Sequence, residues 1–273
     1  MKIDIKKIKD DIVQVTTVDE RWYIKTVKGK DIFYPSVTWI CYYYPKGISY
    51  FKWLANKGWD EAEAIKVEAG ERGSKVHNAI HDLVCGKEVK MDDKYFSESK
   101  GQDEELSVDE WEAIVSFRDW FSLVKPEVIA SEVVGFNDKD KYAGTMDCIC
   151  LIRKNIKYNS TEITRGFYLL DWKTSQDIWP SYEIQVSAYR SMVSNDVKKQ
   201  MAKLLTPEEA KDKEFKKIKL GILQVGYRRN KNKFKFTMVD DKYNLFLATK
   251  KIWENECASI SPRQIDYPRS LKL

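Results

Sequence analysis

The chain has 273 residues, 43% of them hydrophobic, which is enough to bury one substantial core. No linker rich in proline, glycine or serine divides it, so the sequence predicts a single domain over 1–273. A net charge of +5 and a pI near 8.7 make the chain mildly basic, which favours a polyanionic partner. The sequence contains no glycine-rich phosphate loop, so it predicts no ATP-driven motor, and any helicase would be a separate protein.

Cysteine usage and hydropathy argue against secreted and membrane-spanning classes. The five cysteines form no C-x-x-C pair and fall in predicted strands and helices, as buried thiols of a reducing compartment do. No apolar run approaches the length of a membrane span, and the first residues lack the apolar region of a signal peptide. We expect a cytoplasmic protein of a bacterium or of a virus-infected host cell, without membrane contact.

Aromatic residues are concentrated near the start of the chain. The segment 1–39 is predicted to form a small β appendage, and it is followed by three tyrosines at 42–44, by Trp53 and by Trp59. Such rings can stack on unpaired bases at about 1–3 kcal/mol per base, although core packing is their more frequent use. Trp53 and the tyrosines at 42–44 are the candidates for base stacking.

The next segment carries the pattern of an amphipathic helix over 74–85. Ser74 is a candidate N-cap, and Gly86 is a candidate for the position just past the C-terminus. Apolar residues recur at helical spacing, at Val76, Ile80, Leu83 and Val84.

The only two histidines of the chain lie on this predicted helix. His77 and His81 stand four residues apart and can share a helix face, which raises the alternative of a zinc protease. That motif requires glutamate directly after the first histidine, and Asn78 occupies the position. His77 is therefore a candidate ligand in another kind of metal site, and His81 is expected to be a packed or exposed polar residue.

Three strands are predicted in the middle of the chain, over 127–136, 142–152 and 166–172, after a helix over 107–124 that Ser107 and Glu110 open as a capping box. The residues at 137–140 have turn chemistry, which favours an antiparallel hairpin.

Charged residues interrupt these apolar strands at Asp147, Asp171 and Lys173. Side chains alternate along a strand, so Asp171 and Lys173 share one face, and Asp147 on the adjacent strand can meet them. Two carboxylates with His77 can hold Mg²⁺ or Mn²⁺, which prefer oxygen ligands. A structural ion pair between Asp171 and Lys173 is the competing interpretation, because buried charge requires a partner.

The remaining sequence predicts helices over 182–193 and 242–256, a helical insertion at about 196–217, and a hairpin of strands 219–227 and 234–239. Arg228 and Arg229 fall at the tip of that hairpin, where they can contact phosphate or remain solvated. The fold class is therefore α/β, with a central mixed β-sheet of four to five strands flanked by helices.

Four motifs in a fixed order carry a resemblance to a known family, namely 73–77 (Gly-x-x-x-His), 144–147 (Gly-Thr-Met-Asp), 171–175 (Asp-Trp-Lys-Thr-Ser) and 185–189 (Gln-x-x-x-Tyr). The chain resembles the RecB-like branch of the PD-(D/E)XK nuclease superfamily, particularly mitochondrial genome-maintenance exonucleases and phage-type exonucleases. The segment 34–38, which contains Ser36, and Trp53 with the following leucine are similar to the N-terminal part of these proteins, so the likeness covers most of the chain.

The resemblance implies a restriction-endonuclease-like core over 59–256. It implies that His77, Asp147, Asp171 and the carbonyl of Trp172 bind Mg²⁺ or Mn²⁺, and that Lys173 orients the attacking water. Further implied site residues are Gln185 and Tyr189 beside the active site or DNA, Ser36 and Trp53 at the nucleic acid, and Glu132 at a frequently acidic position. Iron–sulfur members of this branch carry a C-terminal cysteine cluster, and only Cys257 lies there, so no iron–sulfur cluster is expected.

The expected function is metal-dependent DNA hydrolysis, most simply as an exonuclease on single strands or free ends. A helicase, a polymerase or a single-strand-binding protein is an expected partner. A structure-specific or flap endonuclease would use the same residues, and a non-catalytic nucleic-acid-binding module is the alternative from another class.

Overall fold

The computed structural model describes residues 4–17, 19–97, 99–158, 161–263 and 270–272. Its strands are β1 Asp4–Lys9, β2 Ile12–Thr16, β3 Arg21–Val27, β4 Lys30–Pro35, β5 Lys94–Ser97, β6 Gln102–Glu105, β7 Glu127–Asn137, β8 Tyr142–Ile152, β9 Ile156–Tyr158, β10 Thr161–Ile163, β11 Gly166–Lys173, β12 Ile218–Val225 and β13 Phe234–Val239. Its helices are α1 Val37–Tyr42, α2 Ile48–Lys57, α3 Trp59–Val84, α4 Val108–Val124, α5 Pro180–Arg190, α6 Asn195–Lys203, α7 Pro207–Lys211 and α8 Tyr243–Cys257, with a 3₁₀ turn at Lys213–Phe215.

A five-stranded sheet in the order β13-β12-β11-β8-β7 forms the centre of the molecule. β11 runs parallel to β12, whereas all other neighbouring strands are antiparallel, so the sheet is mixed. Helices pack on both of its faces. The predicted α/β class with a mixed central sheet flanked by helices is confirmed, and so is the antiparallel hairpin of β7 and β8.

Side-chain alternation along the central strands produces two hydrophobic layers. On one face, Ile149 and Leu169 pack with α1, α5 and α8, for example against Ile184 and Phe246. The opposite face packs on α3 and α4. These layers hold the ends of β8 and β11 between α3 on one side and α5 on the other.

The N-terminal strands form a second sheet in the order β1-β2-β3-β4. It shares the larger core, because Trp22 lies edge-to-face against Trp39 with 5.3 Å between the ring centroids. The predicted appendage extends to residue 39, but its last strand ends at Pro35. The reason is a helix cap: Ser36 Oγ accepts a hydrogen bond from the backbone N–H of Trp39 at 3.1 Å, which starts α1.

The helix predicted over 74–85 is much longer than the sequence pattern indicated. α3 begins at Trp59, so Ser74 lies inside the helix and is not its N-cap. The residues at 60–71 include three alanines, four glutamates and one lysine, which are strong helix formers. The predicted C-terminal end is correct, because Gly86 follows the helix with a φ of 81°.

The other predicted elements differ from the structure by a few residues at most. The capping box of Ser107 and Glu110 is present at the start of α4. α5 begins at Pro180 rather than at residue 182, because proline is favoured in the first helical turn. β12 ends at Val225 rather than at residue 227, because Gly226 turns the chain with a φ of 65°. The insertion is helical, with α6, α7 and the 3₁₀ turn.

Candidate metal centre

Three carboxylates form a row across the neighbouring strands β7, β8 and β11. Glu132 lies opposite Asp147, because the residue pairs on either side of them, Ser131–Cys148 and Val133–Met146, are in register. Asp171 directly follows the last registered pair of β8 and β11, which is Leu170–Cys148. Opposite residues of neighbouring strands project to the same face of a sheet. The sheet therefore brings Glu132, Asp147 and Asp171 to one place.

The ladder between β8 and β11 opens at this point. Beyond the pair of Leu170 with Cys148, the backbone N–H of Trp172 donates a hydrogen bond to Asp147 Oδ2 at 2.7 Å. A side chain thus replaces the backbone acceptor that β8 would otherwise offer. This bond fixes the orientation of the Asp147 carboxylate at the point where β8 and β11 separate.

His77 reaches the same place from α3. Its Nε2 lies 3.0 Å from the carbonyl oxygen of Trp172, and its Nδ1 lies 3.5 Å from Asp147 Oδ2 and 3.9 Å from Glu132 Oε1. Burial, helped by the nearby charge of Lys173, lowers the pKa of His77 to about 4, so the imidazole is neutral at neutral pH. With Nε2–H donating to the carbonyl, the Nδ1 lone pair faces two carboxylate oxygens.

This arrangement has the composition of a cation site. Within the described residues, one nitrogen or oxygen atom from each of His77, Glu132 and Asp147 lies within 4.8 Å of the others. Glu132 Oε1 is buried and has no hydrogen-bond partner among those residues. Three potential ligand atoms that lie this close together fit a divalent cation. One imidazole and two carboxylates suit Mn²⁺ or Mg²⁺.

The pKa values of the three carboxyl groups are all raised, because burial disfavours their negative charge. Burial raises the pKa of Asp147 and that of Asp171 to about 6, against the lowering effect of the Lys173 charge. Burial and then the charge of Asp147 raise the pKa of Glu132 to about 8. Positive charge at the centre would reverse these shifts.

Asp171 and Lys173 form a buried ion pair, which is the arrangement that competed with metal binding at the sequence level. Lys173 Nζ lies 2.6 Å from Asp171 Oδ2, and the Asp171 side chain is only 1% exposed. Neither carboxylate oxygen of Asp171 has a hydrogen-bond partner of good geometry among the described residues, so close opposite charge defines the pair. The ammonium also lies 4.8 Å from the centre of the Tyr182 ring. Lys173 is thereby held beside the metal centre.

We call His77, Glu132 and Asp147, whose donor atoms lie within 4.8 Å of one another, the candidate ligand group. It differs from the ligand set that the resemblance implied, although His77 and Asp147 are common to both. Asp171 is paired with Lys173 instead, and the carbonyl of Trp172 accepts the hydrogen bond of His77. Glu132, for which the resemblance implied only an acidic position, takes the third place.

The backbone of Glu132 explains why the sequence alone, without the resemblance, did not place it beside His77 and Asp147. This residue lies inside β7 yet has a φ of 50°, a left-handed conformation that non-glycine residues rarely adopt. A glutamate in the sequence gives no indication that its backbone will adopt this conformation. The only sequence signal was one charged residue within the apolar run Ile-Ala-Ser-Glu-Val-Val.

Gln185 and Tyr189 lie behind the metal centre on α5 and are both buried. Gln185 Nε2 donates a hydrogen bond to the Tyr189 hydroxyl at 2.7 Å. Burial, together with the charges of Asp171 and Asp147, raises the pKa of Tyr189 well above its usual value. The pair therefore supports the carboxylate row from within the core.

The residues expected to contact nucleic acid differ from one another in exposure and in ion pairing. Ser36 is 1% exposed and caps α1, so it has no surface to offer to DNA. Arg228 pairs with Asp109, and Arg229 lies 2.8 Å from Asp177, so each guanidinium group has a carboxylate partner at the surface. Of the tyrosines at 42–44, Tyr42 is 72% exposed, whereas the other two pack on the core.

Trp53 belongs to a larger exposed surface that we name the α2–α3 surface, consisting of Lys46, Tyr50, Phe51, Trp53, Trp59 and Lys66. None of the residues of α2 is buried. Trp59 is 66% exposed, and Lys66 Nζ lies 5.7 Å from the centre of a ring of Trp59. Trp53 packs against Tyr50, with 5.8 Å between the ring centroids. Aromatic faces interleaved with lysines are the composition of surfaces that bind single-stranded nucleic acid.

Comparison with known proteins adds no family assignment. None of the protein-family models matches the chain, and neither does any curated protein sequence. Among the described helices, none combines the length and the apolar character needed to cross a lipid bilayer.

Proposed function

We propose that this chain is a metal-dependent deoxyribonuclease of the PD-(D/E)XK type, acting as an exonuclease on single-stranded DNA or free DNA ends. The observation that carries the proposal is the meeting of His77, Glu132 and Asp147 within 4.8 Å, beside the ammonium of Lys173. The order of the sequence motifs, with their resemblance to RecB-like nucleases, supplies the reaction class and the preference for ends.

His77, Glu132 and Asp147 would hold the cation. In this role a divalent cation neutralises charge on the scissile phosphate and lowers the pKa of a water molecule. The centre is open to a substrate, because the side chains of His77 and Glu132 are 24% and 29% exposed. Asp147 is fixed by the N–H of Trp172, so one oxygen of its carboxylate is oriented before any ligand arrives.

Lys173 would act on the phosphate and on the attacking water. Its ammonium is buried in an ion pair with Asp171, which holds it in place. A fixed ammonium stabilises the negative charge that develops on a phosphoryl oxygen and orients the nucleophile by hydrogen bonding. Asp171 is then a positioning residue for Lys173 as well as a source of negative charge beside the cation.

The proposal is tested by a gel assay of end-labelled linear and circular single-stranded DNA with Mg²⁺, Mn²⁺ or a chelator. We expect cleavage of the linear substrate with either metal and no cleavage with the chelator. Lys173→Ala should abolish cleavage, whereas Lys198→Ala should not, because Lys198 is an exposed lysine of α6. Products from the circular substrate would favour the endonuclease alternative. Metal-independent DNA binding without products would contradict the proposal.

A further inference from the structure

A cavity of about 120 Å³ lies at the point where β11 ends. Its wall contains Arg72, Asp109, Glu112, Thr174, Gln176 and Arg228. Thr174 directly follows Lys173 in the chain. Neither the sequence motifs nor the proposed chemistry accounts for this cavity or for Arg72.

Arg72 is close to the metal centre through α3. It precedes His77 by five residues on the same helix, which corresponds to a rise of about 7.5 Å and a rotation of about 140°, so the two side chains leave different faces of α3. The helix approaches the end of β11 at the neighbouring position, because a side-chain carbon at Gly73 would lie 3.9 Å from Thr174 Oγ1. The metal centre and the cavity are therefore linked at the end of β11, where Lys173 is followed by Thr174 of the cavity wall.

The charges of the cavity leave Arg72 as the cation without a counterion. Arg228 is paired with Asp109, and Glu112 lies 3.3 Å from Lys233. Within the described part of the chain, no carboxylate forms an ion pair with Arg72, and its Nε is buried without a hydrogen-bond partner. A buried guanidinium N–H that lacks an acceptor is costly, so the site favours an anion with several oxygen atoms.

We infer that Arg72, with the hydroxyl of Thr174, binds a backbone phosphate of the substrate strand adjacent to the phosphate that is cleaved. This inference rests on the proposed nuclease function and adds a substrate contact to it. A guanidinium offers a planar fork of donors that matches phosphate oxygens, and the Thr174 hydroxyl can donate one more hydrogen bond. Contacts of this kind fix the register of the strand and are indifferent to base sequence.

The test measures binding of a fluorescein-labelled oligo(dT) to the full chain in the presence of a chelator, so that no cleavage occurs. Arg72→Gln should weaken binding about tenfold or more, because it removes charge-assisted hydrogen bonds. It should also reduce the slope of log affinity against log salt concentration by about 0.7, the value for one phosphate contact to a single strand. Arg72→Lys should restore the slope while recovering only part of the affinity, since it keeps the charge without the fork. With an oligo(dA) probe, Arg72→Gln should cause the same loss of affinity and the same reduction of the salt slope, because a phosphate contact does not depend on the base.

Arg118→Gln is the matched control, because Arg118 is an exposed arginine that is already paired with Asp119 and lies outside the cavity wall. It should leave affinity and slope unchanged. Thermal unfolding of each variant in the absence of DNA verifies folding. If Arg72→Gln failed to fold, Thr174→Val should still weaken binding, and unchanged binding by Thr174→Val would overturn the inference.

Two further results would overturn it without touching the nuclease proposal. One is an Arg72→Gln protein that binds oligo(dT) with wild-type affinity and salt slope while the wild type cleaves DNA. The other is stabilisation of the wild type, but not of Arg72→Gln, by inorganic phosphate alone with unchanged oligonucleotide binding, which would assign the cavity to free phosphate. A wild-type protein that neither binds nor cleaves DNA would overturn both proposals together.

Discussion

Asp171 and Lys173 lie on the same face of β11, and the Lys173 ammonium is 2.6 Å from Asp171 Oδ2. Because Asp171 is completely buried, removing Lys173 leaves a carboxylate without its cation, which costs stability. Under the proposed function the same substitution would also cost activity, so the ion pair would have a structural and a catalytic role. Single substitutions cannot separate the two roles, but a double substitution can.

We predict that Lys173→Met lowers both DNA cleavage and stability, and that Asp171→Asn/Lys173→Met recovers stability without recovering cleavage. Replacing both members of a buried pair by neutral groups removes the uncompensated charge. The loss of cleavage should be about 10²-fold or more in both proteins, since the fixed ammonium is missing in both. Urea unfolding with a chelator and single-turnover cleavage measure the two effects. A double variant with wild-type cleavage would show that the pair is only structural.

The second prediction concerns Glu132 as a member of the candidate ligand group with His77 and Asp147. Glu132→Gln and Asp147→Asn should each weaken Mn²⁺ binding at least about tenfold, because each removes a charged oxygen ligand. Calorimetric titration of Mn²⁺ without DNA measures this. His81→Ala is the control, since His81 lies on the same helix as His77 but bonds to Ser131 Oγ at 3.0 Å. Wild-type Mn²⁺ affinity in Glu132→Gln would exclude Glu132 from the ligand group.

Much of this centre could be predicted from the chain, because charges that interrupt apolar strands are conspicuous. The faces of Asp147, Asp171 and Lys173 followed from strand alternation alone. The position of the Glu132 side chain did not follow from alternation, because its backbone has a left-handed φ that departs from regular strand geometry. The start of α3 was also missed, since Ser74 resembles an N-cap although a longer helix passes through it.

The motifs at 144–147 and 185–189 pack against each other through Gly144 and Tyr189, and this contact leads to a prediction about stability. A side-chain carbon at Gly144 would lie 2.7 Å from Cε1 of Tyr189, and that ring is held by its hydrogen bond to Gln185. Gly144→Ala should therefore lower the free energy of unfolding by about 1–3 kcal/mol through overpacking. Gly70→Ala is the matched control, because no atom of the described residues lies within 4 Å of the added carbon on α3.

Gly70→Ala should raise the free energy of unfolding by up to about 1 kcal/mol, since alanine is the better helix former. Urea unfolding of the two variants at the same pH makes the comparison direct. Gly144→Ala with wild-type stability would mean that Tyr189 can move, and that it does not hold the carboxylate row in place.

The α2–α3 surface predicts where single-stranded DNA lies beyond the metal centre. Trp59→Ala should weaken oligo(dT) binding by about 1–3 kcal/mol without changing stability, because the ring is 66% exposed and is available to a base. Phe96→Ala removes another exposed ring, on β5, and serves as the control. Fluorescence anisotropy with a chelator measures the affinity. Equal affinities of both variants and the wild type would show that this surface does not bind the strand.

The pKa of Glu132, raised to about 8, makes the stability of the metal-free protein depend on pH. A carboxyl group with a raised pKa in the folded state contributes stability at low pH that is lost as the pH rises through that value. His77 acts in the opposite direction, but its pKa is lowered to about 4, so its effect is complete by about pH 6.5, where an unfolded histidine titrates. Between about pH 6.5 and 8.5, the melting temperature measured with a chelator should therefore fall.

Mg²⁺ or Mn²⁺ should reverse this fall, because the cation binds the ionised carboxylates and stabilises the folded state. The rise in melting temperature on adding metal should accordingly be larger at pH 8.5 than at pH 6.5. Glu132→Gln should flatten the pH dependence of the metal-free protein, since it removes the group that titrates in this range. A metal-free melting temperature that stays constant or increases between pH 6.5 and 8.5 in the wild type would contradict the burial of three carboxyl groups around one centre.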